Sequence, residues 1–169
     1  ISYGRAVQVA RTVKAAAPDA WVIVGGPHVT FTAEETLAEP AFDIVVRHEG
    51  EYAMCDIVGC RLGTGPHLAQ IAGISFRENG QIVHTPTRPF ITNLDALPFP
   101  AVDLFPLDRY DVHPVLTSRG CPFKCIFCAA GAFSGGRYRV RSPENVVAEV
   151  YAMWQRYGRR SFFFVDDTM

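Results

Sequence analysis

The 169-residue chain lacks a dominant charge, a long apolar run and a spread cysteine framework. Sixteen Lys and Arg stand against 17 Asp and Glu, a net charge of −1. That balance gives no electrostatic footprint for nucleic acid or an anionic membrane surface, so neither partner is expected. The longest apolar stretches, WVIV at 21–24 and FFFV at 162–165, are strand-sized. A bilayer span needs about 20 apolar residues, so no membrane segment is expected. The five cysteines are odd in number and bunched: three fall between 121 and 128, the others at 55 and 60. Secreted disulfide scaffolds show even, spread cysteines, so a reducing cytoplasm is the expected setting. Residue 1 is Ile, in a segment already helical, and the last residues form a strand leaving the core. The sequence therefore reads as a fragment of a longer chain.

Hydrophobic residues make up 49% of the chain, enough for one or two domains. Residues 3–17 carry Ala6, Val7, Ala10, Val13 and Ala17 at helical spacing, and Pro18 ends the run. A short apolar strand, AWVIV, leads into Gly25-Gly26-Pro27. A brief helix to Glu39 is expected next, with Thr32 and Glu35 as a capping box. FDIVV reads as a second buried strand, RHEGE as a loop, and EYAMCDIVGCRLG as a helix ended by Gly63. Alternating helices and strands of this kind predict an α/β fold, the C-terminal part of a flavodoxin-like (Rossmann-like) domain over 1–66.

Residues 67–113 are expected to form a hairpin and a linker. Asn79-Gly80 between two alternating runs is a strong hairpin signal. Pro86, Pro89, Pro98, Pro100, Pro106 and Pro114 then exclude helices and central strands. From 114 the pattern is strand, cysteine loop, helix, strand, the start of a partial (β/α) barrel. Ser142 caps the helix, Pro143 takes its first position and Gly158 closes it.

The loop CPFKCIFC holds Cys121, Cys125 and Cys128. Soft thiolates select iron–sulfur clusters, zinc or copper(I). A structural zinc site takes four ligands; His113 could in principle be the fourth, but Pro114 and a strand-like segment separate it from the loop. A [4Fe-4S] cube usually takes four cysteines, so three leave one iron open to a substrate or cofactor. Cys125 and Cys128 lie one helical turn apart. Phe127 between them offers an apolar surface that helps exclude water. Cys55 and Cys60 read as packing residues.

The spacing Cys-x3-Cys-x-aromatic-Cys resembles the signature of the radical S-adenosylmethionine (SAM) superfamily. The resemblance implies that Cys121, Cys125 and Cys128 hold a [4Fe-4S] cluster whose open iron is chelated by SAM. One-electron reduction then cleaves SAM to methionine and a 5′-deoxyadenosyl radical. Phe127 falls where the family's residue contacts adenine. The family often carries Gly-Gly-Glu after its second barrel strand; here that place reads VDDTM, and Asp166 or Asp167 is the expected receiver of the SAM amino group. Arg137, Arg139 and Arg141 could meet a carboxylate near the cluster, or form a solvated basic face.

The first half, VIVGGPHVT…EETL…FDIVVRHEGE followed by NLDALPFPAVDLF, resembles the cobalamin-binding branch of that superfamily. By resemblance, Gly25, Gly26, Glu49 and Gly50 line the pocket for the cobalamin tail. His28 is not assigned as a cobalt ligand, because the usual histidine belongs to a motif after the first strand of such domains. The implied activity is radical methyl transfer from cobalamin to an unreactive carbon of a small molecule. Oxidative cyclisation or thiomethylation is the alternative, and a zinc-stabilised binding module the non-enzymatic one. The expected partners are the substrate and an electron donor such as flavodoxin or ferredoxin. The fragment alone is expected to be inactive.

Overall fold

The computed structural model describes residues 2–168, which form two units, the first ending at Phe90 and the second beginning at Ile91. Both are mixed α/β. In the first, α1 (Tyr3–Ala16) precedes β1 (Ile23–Gly25), α2 (Pro27–Phe31), α3 (Ala33–Ala38), β2 (Ile44–Val46) and α4 (Glu51–Arg61); β3 (Ile74–Glu78) and β4 (Gln81–His84) follow. The sheet order is β1-β2-β3-β4. β1 and β2 run parallel, Ile23 opposite Ile44 and Gly25 opposite Val46, whereas β2–β3 and β3–β4 are antiparallel.

β2 explains its own sequence. Its three residues are buried on both faces, which is why they read as an unbroken apolar run. Ile44 and Val46 pack with Ala53 and Ile57 of α4 and with Ile74 and Phe76, while Val45 turns the other way onto Val29, Ala33 and Leu37. Helices thus cover both faces of the strand.

Two expectations change here. The hairpin, expected with a linker over 67–113 and outside the 1–66 domain, is part of the first sheet. Asn79 and Gly80 have φ of 51° and 79°, the two positive angles a tight hairpin needs. Its first strand then takes the open edge of β2, burying Ile74 and Phe76 and pairing backbone groups that would otherwise lack partners. Nor does Thr32 form a capping box: its Oγ1 donates to the His28 carbonyl at 2.9 Å, and it separates α2 from α3 instead.

In the second unit, residues 91–112 include three short 3-10 turns, and this proline-rich stretch is anchored by buried Ile91, Leu94 and Val102 while Leu104 and Phe105 stay exposed. Then come β5 (His113–Val115), β6 (Ser118–Arg119), α5 (Ala130–Phe133), β7 (Arg139–Val140), α6 (Pro143–Tyr157) and β8 (Phe162–Phe164). β5 and β8 pair in parallel with α6 as the crossover; β6 and β7 pair antiparallel. Ser142 Oγ accepts from Asn145 N at 3.1 Å and Gly158 has left-handed backbone, so both ends of α6 match their sequence signals. No helix among the described residues is long and apolar enough to cross a membrane.

Candidate functional site

The cysteine loop is a closed neck with an open head. The short β6–β7 ladder and a hydrogen bond from Arg141 N to the Thr117 carbonyl (2.8 Å) tie its two ends together. Gly120 stands at the neck with φ of +88°. A Cβ there would lie 2.1 Å from the Arg137 carbonyl oxygen and 2.6 Å from Ser134 Cβ. No side chain fits, so the neck closes only around a glycine.

Beyond the neck, Cys128 N donates to the Cys125 carbonyl at 3.2 Å, forming a turn with Ile126 and Phe127 at its corner. Ile126 is 103% exposed and Phe127 90% exposed. Cys125 and Cys128 are exposed, Cys121 is half-buried, and all three are free thiols. Among the described residues no three His, Cys, Asp or Glu side chains gather as a single metal ion would need. Zinc wants every donor within about 2.0–2.3 Å of one point. A cube offers a separate iron to each of three thiolates, and this loop carries three free thiols within eight residues. His113 is not the fourth donor: it is 4% exposed, edge-on to Phe162, with Nε2 3.8 Å from a Glu149 carboxylate oxygen.

The carboxyl end of β8 braces the neck. Asp166 Oδ1 accepts from Thr117 N (2.9 Å), Thr117 Oγ1 (3.0 Å), Ser118 N (2.5 Å) and Ser118 Oγ (2.6 Å). Its other oxygen, Oδ2, is buried without a hydrogen-bond partner. Burial pushes the Asp166 pKa up, but the Ser118 and Thr117 hydrogen bonds outweigh it and hold the carboxyl below the ordinary aspartate value. Asp167 is exposed. Sequence reasoning placed both aspartates at the site but missed Thr117 and Ser118, which lie nearly fifty positions away.

The arginines split. Arg141 is structural: its Nη1 reaches a Glu149 carboxylate oxygen at 2.5 Å and the Leu116 carbonyl at 2.7 Å, and its Nε reaches Asn145 Oδ1 at 2.7 Å. Arg139 Nη1 donates to the Ile91 carbonyl at 2.7 Å, and Arg137 is exposed. Glu149, 2% exposed on α6, went unremarked in the sequence. Its signal was present: a carboxylate inside the apolar stripe of Val146, Val150 and Met153 demands a buried cation.

In the first unit, Gly25 ends β1, Gly26 follows it and the loop 47–50 follows β2, so the parallel register brings them to one sheet edge. Thr30 joins them: its Oγ1 donates to the Gly26 carbonyl and accepts from His48 N, both at 2.9 Å. Gly26 has φ of +104° and open space beside it, and Gly25 is exposed, so bare backbone lies at that edge. Glu49 and Gly50 are half-buried in the neighbouring loop, and His28 is exposed with its ring 4.9 Å from that of Tyr3. Carboxyl edges of parallel strands are where such sheets receive ligands.

Comparison with known proteins assigns both units. A model of the B12 binding domain matches residues 2–58, and one of the radical SAM superfamily matches residues 115–168. The chain belongs to the B12-binding radical SAM proteins. An uncharacterized methyltransferase of Pyrococcus horikoshii is 42% identical over 169 residues, covering 96% of this chain and 37% of that protein. The anaerobic magnesium-protoporphyrin IX monomethyl ester cyclase of Rubrivivax gelatinosus is 31% identical over 175 residues, 96% of this chain and 30% of the cyclase. The structure of the radical SAM methyltransferase TsrM from Kitasatospora setae, with cobalamin and a [4Fe-4S] cluster bound, superposes with a TM-score of 0.75 at 18% identity, covering 97% of this chain and 33% of TsrM. At that identity the likeness speaks for the fold. The chain spans about a third of the length of these relatives.

Proposed function

We propose that this chain is the cofactor-holding part of a cobalamin-dependent radical SAM methyltransferase acting on an unreactive carbon of a small molecule. Three free thiols within eight residues of one braced loop carry the reading. When bound, a three-thiolate [4Fe-4S] cluster supplies an electron that cleaves SAM to a 5′-deoxyadenosyl radical, and cobalamin supplies the methyl group. Cys121, Cys125 and Cys128 would hold the cluster. Phe127, exposed at the loop's corner, would lie against the adenine and shield it from water. Asp166 or the exposed Asp167 would receive the SAM amino group. Gly25, Gly26, Glu49 and Gly50 would line the cobalamin tail pocket.

On this reading the first unit is the later part of a flavodoxin-like domain. The second is the opening of a partial barrel, its parallel β5-α6-β8 being the first crossover. The working setting is a reducing cytoplasm, with flavodoxin or ferredoxin as the electron donor. The cyclase among the relatives favours oxidative cyclisation as the second reading.

The test is anaerobic reconstitution of the intact protein with iron, sulfide and hydroxocobalamin. Reduced protein given SAM should release 5′-deoxyadenosine and methionine and retain cobalamin through gel filtration. A colourless protein holding one zinc ion per chain would overturn the proposal. Cleavage of SAM without retained cobalamin would remove the methyl-transfer part.

A further inference from the structure

The two oxygens of Asp166 are unequal. Oδ1 takes four donors from two consecutive residues, and Oδ2 takes none. A neutral carbonyl oxygen has two lone pairs, so four donors at 2.5–3.0 Å imply an oxygen bearing anionic charge. The donors are the backbone and side chains of Thr117 and Ser118. These residues lie between the end of β5 and the start of β6, four and three positions before Cys121. Ser118 is 1% exposed, so its hydroxyl points into the structure. The partner strand β7 enters the same neck, and Arg141 N closes it on the Thr117 carbonyl. One carboxylate just past the carboxyl end of β8 thus fixes the direction in which the chain leaves the sheet for its first cysteine.

We propose that Asp166 is a positioning residue for the iron–sulfur cluster, acting through Thr117 and Ser118 on the angle of the cysteine loop before SAM binds. This deepens the radical SAM reading and rests on it. Groups behind the ligands of a metal centre set ligand orientation and so its electronics and lability. A role confined to gripping SAM makes a different demand: Asp166 would then matter only when SAM is present.

The test uses the intact protein and three variants, Asp166→Asn, Asp166→Glu and Ser118→Ala. Without SAM, a chelator should strip iron from reconstituted Asp166→Asn about tenfold faster than from the parent, the size expected for losing a charge-assisted hydrogen-bond set. The electron-spin spectrum of its reduced cluster should shift. Glu, which restores the charge, should recover most of both changes. Ser118→Ala, which keeps the carboxylate, should show the same direction more weakly. If Asp166→Asn keeps the parent's stripping rate and SAM-free spectrum and loses only the response to SAM, the positioning role is wrong.

A second arm needs no cluster. In apo-protein, protease cutting within residues 120–138 should accelerate in Asp166→Asn and in Ser118→Ala, while near-native circular dichroism shows the fold retained. Unchanged cutting in both would overturn the brace. A parent protein that takes up no cluster but shows this change would instead count against the radical SAM reading alone.

Discussion

Replacing Gly120 by alanine tests whether the neck geometry is required. Two costs add. The first is backbone strain: φ of +88° is rarely adopted by a residue with a Cβ, at about 1–3 kcal/mol. The second is steric. Real Cβ atoms do not come within about 3.0 Å of such neighbours, so the 2.1 Å gap to the Arg137 carbonyl oxygen would have to widen by about 0.9 Å. That oxygen belongs to backbone two residues before β7, so it moves only if the neck opens. Ser134, 4% exposed, blocks the other side at 2.6 Å. The sum exceeds about 3 kcal/mol, a large part of the stability of a small domain. Gly136→Ala is the control: φ is +67° there too, but nothing lies within 4 Å, so it carries only the conformational cost of about 1 kcal/mol. Iron content after anaerobic reconstitution and thermal unfolding of the same samples are the assays. Gly120→Ala should assemble little or no cluster and unfold early, and Gly136→Ala should resemble the parent. A Gly120→Ala protein that loads iron like the parent would refute the reasoning.

Ser142→Ala removes the side-chain cap of α6 and should lower stability by about 1 kcal/mol, measured by urea unfolding. Glu149→Ala leaves the Arg141 guanidinium without its carboxylate and should cost about 3 kcal/mol or more, well above the effect of truncating exposed Glu144 on the same helix. The pH dependence follows from Asp166. Its pKa is depressed in the folded state, so its contribution is present above the unfolded value near 3.8 and is lost as pH falls through the lower folded value. Acid titration of stability should therefore steepen below about pH 4 in the parent and flatten in Asp166→Asn.

How much was legible depended on how local the cause was. The thiol trio, the ends of α6 and the Asn79-Gly80 turn are each specified within a few residues, and each could be read directly. The placement of the hairpin could not, because it depends on β2 needing a partner across thirty positions of chain. Thr32 misled because Pro27 opens a helix earlier, leaving the Thr32 hydroxyl within reach of the His28 carbonyl rather than at a free helix end. Thr30, which ties Gly26 to His48, carries no local signal: a buried threonine in a short helix looks like packing. The pairing of Asp166 with Thr117 and Ser118 joins the ends of two parallel strands, a juxtaposition only the sheet creates. Glu149 was the exception. Its place in an apolar stripe announced a buried partner, and Arg141 supplies it.

The most direct measurement is the metal stoichiometry and reduced electron-spin spectrum of the anaerobically reconstituted intact protein, with and without SAM. The same measurement is made with Cys121, Cys125 and Cys128 each changed to alanine. The account predicts about four iron atoms per chain, a spectrum that SAM alters, and loss of the cluster in every variant. A full iron complement in the alanine variants, or a parent spectrum that SAM leaves untouched, would contradict it.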